Sequence, residues 1–241
     1  RVADPSLFLS PLVHHFGWQR DDWQRLGQGT LVGHLMECGM QITGGYFADP
    51  GRKDVPRLAD CGYPIAEVGE DGRCVITKLA DAGGMVTSRT VKEQLMYEVH
   101  DPAAYLTPDV TADFSGVTVQ ESGRDRVAVA NGRGHQRPDK LKVTVGFDGG
   151  FFGEAGVSYA GPNATARAAL ARDILRDRLA RHAGFDSLRI DLIGINSLHA
   201  TAHGARAESA DVRVHASMRS TSRDDVATML WEVESLLCCG P

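Results

Sequence analysis

The chain has 241 residues, 42% of them hydrophobic, and a formal net charge of −5 at pH 7 with histidine neutral; this length can bury one large core or two small ones. An acidic balance without a basic run interleaved with aromatics gives no ground for a nucleic-acid partner, and no stretch approaches the ~18 apolar residues that a membrane span requires. The first residues, Arg1-Val2-Ala3-Asp4-Pro5, do not read as a signal peptide, so a cytoplasmic location is expected by default.

Asp4-Pro5 opens a helix, with proline at the first helical position and Leu7, Leu9, Leu12, Val13 and Phe16 following before Gly17 stops it. The tandem His14-His15 cannot share a helix face and is given no special role. A second helix is expected over residues 21–41, although Gly27, Gly29 and Gly33 each cost up to ~1 kcal/mol relative to alanine; three such residues imply close backbone packing or a break. If it persists to Gln41, His34, Glu37 and Cys38 fall within one turn of one another. An acid/base residue, a carboxylate and a thiol then meet beside a Gly-Gly turn, or else His34 and Glu37 form a surface pair and Cys38 simply packs.

Residues 43–63 are rich in glycine, aspartate and proline and read as turns. Residues 63–68 and 73–78 flank Gly69-Glu70-Asp71-Gly72 as a hairpin, and 117–121 with 126–130 make a second around Ser122-Gly123-Arg124-Asp125. The first hairpin ends at Lys78 and passes Gly83-Gly84 into a helix expected over 90–99, with Thr90 and Glu93 at capping-box spacing. A lysine beside a flexible turn and a helix N-terminus is a common way to hold a phosphate or carboxylate; the same glycines also suit a plain turn. At the end of that helix His100 lies among Glu98, Asp101 and Asp109, carboxylates able to orient a general base, while a helix C-terminus favours histidine on electrostatic grounds alone.

Residues 131–139 form the clearest linker-like stretch, dividing a helical and hairpin region, 1–135, from an α+β region, 136–241. In the latter, strands are expected over 140–147 and 151–159 around Asp148-Gly149-Gly150. A helix follows from Pro162-Asn163 to about His182, strands over 188–195 and 212–218, and a last helix capped by Ser222 with Val226, Met229, Leu230, Val233 and Leu237 on one face. The fold class is therefore α+β, ending in a ββαββα layer with helices on one face of a sheet.

Five cysteines without C-x-x-C spacing indicate neither a disulfide framework nor a zinc knuckle. His199 and His203 have metal-like spacing only on a helix, and their glycine- and alanine-rich context reads as loop. Ser158 lacks the glycine two positions on and the strand-to-helix turn of a nucleophile elbow. The sequence specifies no metal site and leaves the cofactor open.

Five segments in order, 33–46 (GHLMECGMQITGGY), 63–68 (YPIAEV), 75–78 (VITK), 90–102 (TVKEQLMYEVHDP) and 191–199 (DLIGINSLH), resemble the acyclic terpene utilisation, AtuA-like, family over nearly the whole chain. The resemblance implies a place in the catabolism of branched acyclic compounds such as citronellol and geraniol, whose intermediates are handled as CoA thioesters. It also implies that this is the central part of a longer protein, preceded by an α/β region with its own glycine-rich motif and often followed by a ferredoxin-like module. The chain departs from the family pattern at Tyr46 and at Cys238-Cys239, and no function is attached to those positions.

The expectation is an enzyme of an acyl-CoA or carboxylate. Thr43, Gly44, Gly45, Lys78, Gly83, Gly84 and Thr87 would hold the anionic group, and Glu37 and His100 would transfer protons in a hydration, elimination or isomerisation step. The alternative is a non-catalytic binding or assembly subunit. The partners expected are an anionic small-molecule substrate, as a CoA thioester or free acid, the remaining N-terminal region of the same protein, and further copies of the chain in a homo-oligomer.

Overall fold

The computed structural model describes residues 4–182, 187–198 and 208–241. The chain forms two compact units, Arg1–Thr144 and Val145–Pro241, with an α+β character of five helices and three antiparallel sheets among the described residues.

The first unit is organised around a helix that is buried on every side. Helix α1 (Asp4–Phe16) packs on α2 (Trp23–Met36), and residues 26–35 of α2 are all buried. The three glycines of α2 are there because other atoms lie where side chains would be, backbone at Gly27 and Gly33 and the Leu9 and Trp18 side chains at Gly29. A Cβ on Gly27 would sit 2.0 Å from the Arg133 carbonyl oxygen, and one on Gly33 would sit 2.4 Å from that of Pro5. Asp22 caps the helix by accepting from Arg25 N at 3.2 Å. The helix is shorter than the 21–41 expected from sequence, because Gly39 turns to φ +56° and a 3-10 turn, Gly39–Gln41, takes over.

Strands β1 (Pro64–Val68) and β2 (Cys74–Lys78) form the first expected hairpin, with Ala66 opposite Ile76. After α3 (Ser88–Met96) come β3 (Tyr105–Leu106), β4 (Thr111–Asp113), β5 (Thr118–Gly123), β6 (Arg126–Ala130) and β7 (Arg133–His135). They complete one sheet of order β1-β2-β6-β5 and another of order β3-β4-β7. Helix α3 begins two residues earlier than expected, since its cap is Thr87 and the reciprocal partner is Thr90; Glu93 instead pairs with Lys53 at 2.7 Å. Strand β7 lies inside the glycine-rich stretch that reads as linker, held because Gly134 passes so close to α2 that a Cβ would meet the Trp23 carbonyl oxygen at 1.9 Å.

The second unit runs β8 (Phe151–Ala160), α4 (Ala164–Leu179), β9 (Ser187–Ile193), β10 (Asp211–Ser220) and α5 (Arg223–Cys239), with sheet order β8-β10-β9. Alternate residues of β10, Val212, Val214, Ala216 and Met218, join α4 and α5 in a separate core, each large apolar side chain contributing about 1.5–3 kcal/mol by burial. Ser222 caps α5 by accepting from Asp225 N. Its buried face ends in Leu236 rather than the expected Leu237, which is 74% exposed. The strand expected over 140–147 does not form: residues 141–150 have no regular structure, and Leu141, Val143, Val145 and Phe147 are exposed. Alternation encodes a face able to join a sheet, whereas a strand exists only where a ladder receives its backbone.

Candidate functional site

The helix-to-turn junction at the end of α2 builds the site. His34, in the last turn, is 1% exposed, stacks on Phe114 with centroids 5.6 Å apart and lies 5.2 Å from the Tyr105 ring. Its Nδ1 is 2.8 Å from Glu37 Oε1 and its Nε2 is 3.1 Å from the Leu95 carbonyl oxygen. A carbonyl can only accept, so Nε2 carries a proton. A second proton is then shared between Nδ1 and Oε1, as imidazolium with carboxylate or as imidazole with carboxylic acid. The pair is buried, unlike the surface pair that the spacing alone allows.

The other carboxylate oxygen, Glu37 Oε2, is buried and has no hydrogen-bond partner among the described residues; the same holds for the side-chain amide nitrogen of Gln41. Both residues line one cavity of about 470 Å³, together with Cys38, Gly45, Tyr46 and Tyr63. Tyr46, Tyr63 and Met40 give it an exposed, largely apolar mouth. Burial pushes the Cys38 thiol up; a hydrogen bond with Gln94 works against this and the Glu37 charge adds to it. Tyr105 is also pushed up, by burial first and then by Glu37. Both groups therefore hold their protons at neutral pH.

The segment selected from sequence as an anion cradle is occupied by the protein itself. Lys78 Nζ, at the end of β2, donates to the carbonyls of Leu79 at 3.3 Å and Ala82 at 2.8 Å, and lies 3.6 Å from Asp125 Oδ2. The backbone N–H groups of Gly83, Gly84 and Met85 donate to the carbonyls of Asp60, Pro56 and Thr43, and that of Val86 donates to Asp125 Oδ1. At the start of α3, Ser88 N and Oγ both donate to Glu121 Oε1 at 3.0 Å, holding the Glu121 carboxyl below its ordinary range. An external anion would have to displace these groups.

Thr43 is wholly buried; it donates to Gly62 O at 2.6 Å and its carbonyl accepts from Met85 N, tying the 40–45 turn to the loops before β1 and after β2, while Gly44 N donates within the turn to Gln41 O. Thr87 caps α3. His100 is exposed beyond α3, and neither it nor Lys78 is among the residues lining the cavity. The structure thus brings Glu37 and Gly45 together and does not add Lys78 or His100 to them. Gln41, Tyr46 and Tyr63 are the lining residues that sequence reasoning passed over, although 37–46 is one continuous run and Gln41 follows Glu37 by four. Among the described residues no group of His, Cys, Asp and Glu is arranged to hold a metal, and His199 and His203 lie outside them.

The family model for the acyclic terpene utilisation family protein AtuA matches residues 1–241. The chain belongs to the AtuA family. No curated protein and no solved structure matches it. The segments at 33–46 and 63–68 that carry the family resemblance are those that wall the Glu37 cavity. Membership connects the chain with acyclic terpene utilisation. Among the described residues, no helix is long and apolar enough to cross a membrane.

Proposed function

We propose that this AtuA-family protein acts on a branched-chain or terpenoid acyl compound, as a CoA thioester or free carboxylate, with Glu37 moving the proton of a hydration, elimination or isomerisation step. The observation that carries this is the pairing of a buried acceptor, Glu37 Oε2, with a buried donor, the Gln41 amide nitrogen, on one cavity wall, neither having a partner within the protein. Such groups cost free energy when buried and unmatched, and a substrate supplies what they lack. A carbonyl oxygen accepts from Gln41 while a C–H or water proton passes to Glu37, and His34 fixes Oε1 so that Oε2 faces the reacting atoms. The apolar mouth at Tyr46, Tyr63 and Met40 suits a hydrocarbon chain.

The test is Glu37→Gln, assayed with geranyl- and citronellyl-type CoA thioesters and with the free acids. The expected outcome is loss of turnover, and of deuterium exchange from solvent next to the carbonyl, by about 10²–10⁴-fold with the fold intact. Exchange at the wild-type rate would remove Glu37 from the chemistry.

The assembly-subunit reading retains one supporting observation, the exposed apolar row of Leu141, Val143, Val145 and Phe147. It favours burial against further copies of the chain, and sedimentation of wild-type protein beside Val143→Asp would show a fall in mass.

A further inference from the structure

A second cavity, of about 940 Å³, opens where α1 turns into α2, at the opposite end of α2 from Glu37. Its floor is continuous with the core: Leu9, Trp18 and Leu26 are 3%, 4% and 4% exposed, and Val13 and Trp23 continue the apolar wall. Trp18 is locked in place by donating from its indole nitrogen to the Glu70 carbonyl at 2.9 Å. Arg20 and Arg137, more than a hundred residues apart in sequence, both reach this lining, and neither is in an ion pair among the described residues. His14 adds an imidazole to the same lining. Two carboxylates share the lining, Asp21 and Asp109, and Asp109 Oδ2 already accepts from Ser6 Oγ.

From this we infer that the cavity is a second ligand site, taking an amphipathic anion whose apolar body lies on Leu9, Trp18 and Trp23 and whose carboxylate or phosphate head is held by Arg20 and Arg137. Guanidinium is suited to either head because its planar fork donates two parallel hydrogen bonds. The aspartates exclude the head from their own sector and leave acceptors there for hydroxyl groups or water. The volume lies within the range of small-molecule sites, and an apolar floor with a few convergent polar groups is their usual composition. The site shares no lining residue with the Glu37 cavity, and α2, about 21 Å long, separates the two.

Tryptophan fluorescence tests it directly in a Trp231→Phe background, where Trp18 and Trp23 are the reporters. Octanoate and octyl phosphate are titrated as probes, with 1-octanol as the uncharged control. A saturable change is expected with one or both anions, at least tenfold tighter than with octanol, and the tighter of the two identifies the head. Arg20→Ala and Arg137→Ala are each expected to weaken it tenfold or more with an unchanged circular dichroism spectrum, while Glu37→Gln leaves it as it was. Equal binding of octanol, or full affinity in both arginine variants, would overturn the assignment.

Discussion

His34 shows how much of a residue's chemistry depends on what the fold places around it. An imidazole three positions from a carboxylate is an ordinary surface pair on an exposed helix. Here it is 1% exposed, its two nitrogens face two acceptors, and Glu37 receives a fixed orientation. His34→Ala should therefore destabilise the protein by about 3 kcal/mol or more, because it leaves a buried carboxyl group without its partner. Glu37→Gln, which keeps a hydrogen-bonding group in place, should cost about 1 kcal/mol. Urea denaturation of the two variants separates these values, and equal small losses would show that the pair is not a buried unit. The sequence placed His34 and Glu37 on one turn, but their desolvation depends on Tyr105, Phe114 and Leu95, which lie 61 to 80 residues further along.

Among the elements, the start of α3 is the most instructive. The pattern of lysine, paired glycines and helix N-terminus reads as a cradle for an external anion, whereas in the fold its donors are taken by backbone carbonyls and by carboxylates of the second hairpin. Asp125 takes the Val86 N–H and sits beside Lys78, while Glu121 takes Ser88. The Glu121 carboxyl is held low, by hydrogen bonds from Ser88 backbone and side chain. Its contribution to stability is therefore present above its unfolded value of about 4.3 and is lost as pH falls through the lower folded value. Ser88→Ala, which removes the hydroxyl donor and keeps the backbone N–H, should raise the Glu121 titration midpoint part of the way to its unfolded value, as followed by NMR of the side-chain carboxyl carbon; an unmoved midpoint would mean that the hydroxyl contributes nothing and the backbone N–H at the helix terminus alone holds the charge. Local spacing cannot reveal such internal neutralisation, since β5 and the 122–125 turn reach α3 only through the pairing of β6 with β2.

At the scale of the whole molecule, the chain builds two cores. One gathers around α2, and the other lies between the α4–α5 pair and the three-stranded sheet. The exposed, irregular stretch 141–150 carries the boundary between the two units. Limited proteolysis should cut there first and yield two resistant fragments divisible by mass spectrometry, because cleavage requires local backbone freedom that the paired strands on either side lack. A first cut inside β8 or β6 would show instead that the units do not fold independently.

Sequence alone determined the α+β class, both hairpins of the first unit, the Ser222 cap of α5, the approximate spans of most helices, and the family, because each rests on local periodicity, turn chemistry or a run of consecutive residues. It also singled out Glu37. Tertiary structure decided the rest: that Gly27 and Gly33 of α2 admit neighbouring backbone, that Lys78 and the 83–86 amides are consumed by the fold, that the alternating residues 141–147 form no strand, and that Gln41, Tyr46 and Tyr63 join Glu37 around a cavity. The physical reason is the same in each case. Hydrogen bonding and burial are satisfied by whichever partner arrives in space, and the identity of that partner is a property of long-range packing rather than of the neighbouring residues.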